Sequence, residues 1–251
     1  MQPTQQKAWR AGRFWWDWPA QHDADAKSLA KLHAVIFDLD ALADVEGAGH
    51  RRAFNAAFAA LGLDIAWSVP RYRQLQALTD ERRRVAAELR KRGVSTECDV
   101  LAELLVDEIC MTKAMVLDET MRDADIAPRP GMSDLILEAH GAGVGIGIVS
   151  SGSHTWVEPL VRQLIGDGVA GAVVTADDTP RTELYRAALG ELGATAHDSL
   201  AFAGSQLSQR AATATGLATV LVDEAAAPLR VADCQRAHDS WWQTHRSSSA
   251  A

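Results

Sequence analysis

The sequence is poor in the features that define several protein classes. It has 3 cysteines in 251 residues, Cys98, Cys110 and Cys234, far apart and with no CxxC pair. That excludes a disulfide framework and a cysteine zinc site, and fits a reducing compartment. No apolar run approaches membrane-span length, and the N-terminus lacks an apolar stretch behind basic residues. A cytoplasmic location, away from membranes, is therefore expected. Nor is there a basic excess: the formal net charge is −8, which argues against a nucleic-acid partner. The one basic run, Glu81 to Arg92, is interleaved with Glu88 and reads as a solvated helix face, with a ligand or anion patch as the alternative. With 47% hydrophobic and 23% charged residues, the composition suits one or two globular domains with a sizeable core.

Tryptophan is plentiful but oddly placed. Six of the 8 lie in two terminal segments: Trp9, Trp15, Trp16 and Trp18 within residues 1–31, and Trp241 and Trp242 within the tail 241–251. Disordered tails rarely carry so many large aromatics. Packing of these ends on the core is the expectation, with a protein-partner surface as the alternative.

Between the ends, short apolar runs alternate with helical periodicity. His33–Phe37, Val144–Val149, Ala172–Val174, Ser199–Ala203 and Thr219–Val222 read as buried strands. Residues 50–61, 72–92, 97–118, 132–140, 183–192 and 206–215 read as helices. Strand–helix alternation implies an α/β fold, a doubly wound parallel sheet with helices on both faces. The helical stretch 48–120 interrupts it as an inserted α-helical cap, leaving 32–47 and 121–240 as the core.

Ligands of open parallel sheets bind beyond the C-terminal strand ends. There stand Asp38 and Asp40, Ser150 and Ser151, Asp177 and Asp178, then Ala203 and Gly204. Two carboxylates one residue apart can divide nucleophilic attack from proton transfer, or can cap a turn. Their charge also asks for a hard cation. Ser150-Ser151-Gly152-Ser153 before a helix can bind phosphate, or can cap that helix.

The ordered set resembles the haloacid dehalogenase-like (HAD-like) superfamily, in its CbbY-like and β-phosphoglucomutase-like branch. The resemblance rests on Phe37-Asp38-Leu39-Asp40, then Asp44-Val45-Glu46, His50-Arg51-Arg52-Ala53-Phe54-Asn55, Pro128–Gly131, Ser150, Thr175–Asp178 and Ala201–Ser205. It covers about residues 33–222. The resemblance implies a Rossmannoid core, Asp38 as phosphoryl-accepting nucleophile and Asp40 as acid/base. It implies Ser150 and Ser151 on the phosphoryl group, and His50 at the core–cap junction. Magnesium would be held by the Asp38 side chain, the Asp40 carbonyl and a later acid.

The same comparison exposes departures. The family's Asp-Gly-Thr is Asp40-Ala41-Leu42 here, and its metal-binding acids are Ala203 and Gly204. Its lysine is missing with a few neighbouring residues, leaving Arg181 as substitute. The glycine-rich cap loop is matched only by Thr79-Asp80-Glu81-Arg82. The expectation is a phosphorylated small molecule, or a partner, bound with weak or no catalysis and with weak magnesium affinity. The alternative is a magnesium-dependent sugar-phosphate phosphatase or phosphomutase, in which Arg181 replaces the lysine and Asp177 or Asp178 reaches the metal. Were the chain active, hydrolysis is expected before mutase or dehalogenase chemistry.

Overall fold

A computed structural model describes residues 32–78, 80–94, 98–222 and 230–248, with side chains described as far as 245. The Trp-rich segment 1–31 lies outside the described residues. The chain divides into two compact units, one holding residues up to Ala43 and from Pro128 onward, the other Asp44–Ala127. The division falls outside the expected insert, 48–120, on both sides.

The first unit is built on five parallel strands: β1 (Ala34–Asp38), β2 (Gly145–Val149), β3 (Ala172–Val174), β4 (Ser199–Ala203) and β5 (Ala218–Leu221). They lie in the order β3-β2-β1-β4-β5. Each is short and mostly apolar; β1, β2 and β4 are nearly continuous in burial, as strands covered on both faces must be, while the edge strand β5 ends exposed at Leu221. Ile36, Val149, Val174 and Ala201 pack against Leu184, Tyr185, Ala188 and Leu189 of the helix Leu184–Glu191. Phe37 and Phe202 stack side by side at 5.0 Å.

Helices follow the strands, numbered here along the whole chain. In this unit they are α1 (Leu39–Leu42), α6 (Met132–Gly141), α7 (His154–Ile165), α8 (Leu184–Glu191), α9 (Gln206–Ala214) and α10 (Val231–Ser248). Ser153 caps α7 and Ser205 caps α9, each accepting a backbone N–H from the first turn. Helix α10 packs on β5, β4 and α6. Its buried face is Val231, Cys234 and His238, at helical spacing. It carries the C-terminal tryptophans: Trp242 donates its indole N–H to His238 at 3.1 Å and packs on the His197 ring at 4.9 Å. At this end the tryptophan pair belongs to the packed core unit.

The second unit is helical: α2 (Arg51–Ala60), α3 (Val69–Gln76), α4 (Glu81–Arg92) and α5 (Asp99–Asp123), entered through a π-helical turn at Glu46–His50. Its core is Phe54, Phe58, Trp67, Tyr72, Leu75, Val85, Leu89, Val106 and Ile109. The expected single helix over 72–92 is two helices. Asp80 accepts the Arg83 amide and starts α4 anew, a side-chain cap that no glycine or proline announces. Gly93, at φ 65°, then ends α4 in the left-handed conformation that favours glycine.

Candidate phosphate site at the strand ends

The register of the sheet assembles the site. Asp38 pairs with Val149 across β1 and β2, so Ser150 begins the neighbouring loop. Phe37 pairs with Phe202 across β1 and β4, so Ala203 and Gly204 flank Asp38 on the other side. Asp38, Asp40, Ser150 and Gly204 thus meet at one edge of the first unit. His50 belongs to the second unit, and Arg181 is exposed on the turn before α8.

Asp38 ends β1 with extended backbone and caps α1, accepting the Asp40 amide at 3.4 Å. Ala41 and Leu42, standing for Gly-Thr of the resembled motif, are fully buried in that helical turn. The second Asp38 oxygen accepts the Gly204 N–H at 3.2 Å. Gly204 approaches closely: a Cβ built on it would fall 2.6 Å from the Ala41 nitrogen, and nearer still to the Asp40 carbonyl carbon. The loop after β4 therefore lies directly on the loop after β1, in contact that only glycine permits.

Two side chains here were not singled out from sequence. Arg129, within Pro128–Gly131, donates Nε–H to the Asp40 carbonyl at 3.0 Å, and its own amide donates to Leu42 O at 2.7 Å. Tyr185 is buried against the sheet and hydrogen-bonds Ser208 at 2.6 Å. Burial, then the nearby Asp38 charge, push its phenol pKa upward, so it stays protonated. The proline-bounded segment was the sequence signal for Arg129, read there as punctuation only.

Ser150 is buried and its hydroxyl accepts the Gly152 N–H at 3.1 Å. Ser151 is exposed beside it. Gly152 has no room for a side chain because the Trp156 indole covers it. In this loop and the first turn of α7 the Gly152, His154 and Thr155 amides donate to Ser150, Asp177 and Ser153, so the polar groups offered to an oxyanion are the Ser150 and Ser151 hydroxyls.

Asp177 and Asp178 are spent on the loop itself. Asp177 accepts the His154 amide at 2.9 Å. Asp178 accepts Thr175 N–H and O–H at 2.8 and 3.1 Å, and holds His154 Nε2 at 2.8 Å. That hydrogen bond raises the His154 pKa above its ordinary 6.5 and lowers that of Asp178 below 3.8. The sign follows for each. The raised His154 contributes stability at low pH that is lost as pH rises through its folded pKa. The lowered Asp178 contributes above its unfolded pKa and loses it as pH falls through its folded one. The pair holds α7 between those limits. Asp178→Asn is expected to return the His154 titration, followed by NMR, toward its ordinary midpoint; an unchanged midpoint would refute the pairing.

A doubly wound parallel sheet with paired acids after β1 and a hydroxyl after β2 defines a Rossmannoid α/β protein whose ligand site lies at the C-terminal strand ends. Comparison with known proteins is specific. The family model for haloacid dehalogenase-like hydrolases matches residues 32–203, and the chain belongs to that family. It is 34% identical over 198 residues to protein CbbY of Cereibacter sphaeroides, covering 76% of this chain and 84% of that one. It is 32% identical over 198 residues to the plasmid CbbY of Cupriavidus necator, covering 76% and 78%. The crystal structure of CbbY from Rhodobacter sphaeroides in complex with phosphate superposes with a TM-score of 0.58 at 30% identity, over 76% of this chain and 85% of that chain. A variant of that protein, bound to xylulose-(1,5)bisphosphate, gives 0.57 at the same identity and coverage. The chain is a CbbY-like HAD protein, with the α/β Rossmannoid fold of that family.

Hydrolases of this family generally use magnesium. The residues present here do not fit it. Magnesium takes near-octahedral oxygen ligands. Opposite Asp38 the structure offers the Gly204 N–H, a donor that supplies no ligand. That leaves Asp38 and the Asp40 carbonyl, with one of its two lone pairs taken by Arg129, in place of the family's fuller set of oxygens. Among the described residues no group of three His, Cys, Asp or Glu is arranged to hold a metal ion.

Proposed function

We propose that this chain binds a phosphorylated small molecule at the strand ends without magnesium-dependent turnover. The observation that carries the reading is Gly204. Its backbone lies against Asp40 and its N–H donates to Asp38, where the family pattern calls for an acidic side chain and a cation. The remaining parts of the site suit binding. The Ser150 and Ser151 hydroxyls can donate to a phosphoryl group, and relatives are solved with phosphate and a sugar bisphosphate. Asp38 then acts as a structural acid, accepting the amides of Asp40 and Gly204 from two adjoining loops. The missing lysine and the exposed position of Arg181 support the same reading.

Calorimetric titration of inorganic phosphate tests it. Binding is expected to be equally strong in EDTA and in excess magnesium, because no step of recognition runs through a cation. A dissociation constant that tightens tenfold or more with magnesium would overturn the proposal, since that corresponds to about 1.4 kcal/mol of cation-linked binding.

A further inference from the structure

The helical unit contains a buried cation that the strand-end site does not use. Lys113, on α5, is 4% exposed. An ammonium is rarely taken so far from water unless every donor is matched. Its Nζ lies 2.8 Å from Glu81 Oε1 and 2.9 Å from His50 Nδ1, and 5.2 Å from the centroid of the Phe54 ring. A lysine ammonium has three donors and no acceptor. At 2.9 Å the His50 Nδ1 must therefore be the acceptor, with its lone pair toward Lys113. An imidazolium would turn a second N–H onto the ammonium. The neutral ring then carries its proton on Nε2.

We propose that Lys113 is a positioning residue for His50: held by Glu81, it donates to Nδ1 and locks the ring as the neutral Nε2–H tautomer. The surrounding charges agree. Burial, then Lys113, lowers the His50 pKa to about 4, against the opposing pull of Glu46 and Glu81, with Arg84 adding to the lowering. Glu46 does not rescue the imidazolium because its carboxylate is engaged elsewhere. It accepts the Tyr72 hydroxyl at 2.5 Å and Gln76 Nε2 at 3.4 Å, and stands 3.8 Å from Arg84. His50 is a constant hydrogen-bond donor across the neutral range, not a group that shuttles protons. That this donor serves an anionic ligand rests on the proposed function; the tautomer does not.

The test is NMR of the full chain labelled with 15N-histidine, with His50 assigned by loss of its signals in His50→Gln. In the parent protein His50 is expected to show one protonated and one bare nitrogen, Nε2 and Nδ1 respectively, with no titration above about pH 5. Lys113→Arg keeps a donor and should keep that signature. Lys113→Met removes both donor and charge. It should release the tautomer and move the midpoint upward by about one pH unit or more. A parent His50 titrating near 6.5, or protonated on Nδ1, would overturn the assignment even if Lys113→Met fails to fold. Phosphate calorimetry on the same samples keeps the two readings apart, since failure of phosphate binding leaves the His50 spectrum unaffected.

Discussion

Supplied with magnesium, the protein is expected to hydrolyse p-nitrophenyl phosphate no faster than its Asp38→Asn variant. Phosphoryl transfer draws almost all its acceleration from positioning and from neutralising charge on the moving group. In this chain the positions of the acids that would complete a cation site hold Ala203 and Gly204, and the family's lysine is missing from the sequence. Each lost electrostatic partner costs about two to three orders of magnitude, so the two together remove roughly four to six. Asp38 alone cannot recover that. Steady-state kinetics on both proteins decide the matter. Parent turnover well above the variant, abolished by EDTA, would mean that the loop after β4 opens to admit a cation.

Gly204→Ala is expected to destabilise the core unit by about 1 to 3 kcal/mol, and Gly204→Asp by at least as much. The new Cβ would meet peptide atoms of Asp40 and Ala41, not the end of a flexible side chain, so one of two adjoining loops must shift. Any shift also lengthens the Gly204 N–H bond to Asp38. For a chain of this size each 1 kcal/mol lowers Tm by about 2 to 4 °C, readily seen by thermal melting. The aspartate variant asks a second question, since it restores the residue type that a family metal site would use. It should lose stability and gain neither magnesium-dependent stabilisation nor turnover. A variant as stable as the parent would show that the contact between the loops yields easily.

Much of the core was legible because its strands are short, apolar and rich in Val and Ile, a pattern with few other readings. Asp38, Ser150 and Gly204 could be aligned from sequence because each directly follows such a run. What closes the site could not be read. A glycine in place of an acid looks like a simple loss, yet the Gly204 backbone packs against Asp40 and Ala41 and donates a hydrogen bond to Asp38. Arg129 sat in plain view between two prolines, but its bond to Asp40 depends on a partner 89 positions away. Lys113 lies mid-helix between Met111-Thr112 and Ala114-Met115, and only tertiary packing shows that it is buried while Met111 and Met115 are exposed. The division between α3 and α4 was missed for a local reason, because Asp80 ends one helical pattern and begins another without interrupting it. The N-terminal tryptophans stay outside the described residues, whereas Trp242 owes its place to the unforeseen helix α10.

One small feature bears on how such a chain can be dissected. Ala43 and Pro128 form an isolated antiparallel bridge, and Arg129 ties back to Leu42 and Asp40. The exit and the return of the insert are thus stitched together on the sheet unit itself. An insertion whose ends are neighbours interrupts the chain without interrupting the fold around it. Excising 44–127 and closing the gap with a tight glycine-containing turn would leave every strand of β1 to β5 with its partners, yielding a minimal scaffold on which phosphate recognition can be measured by itself.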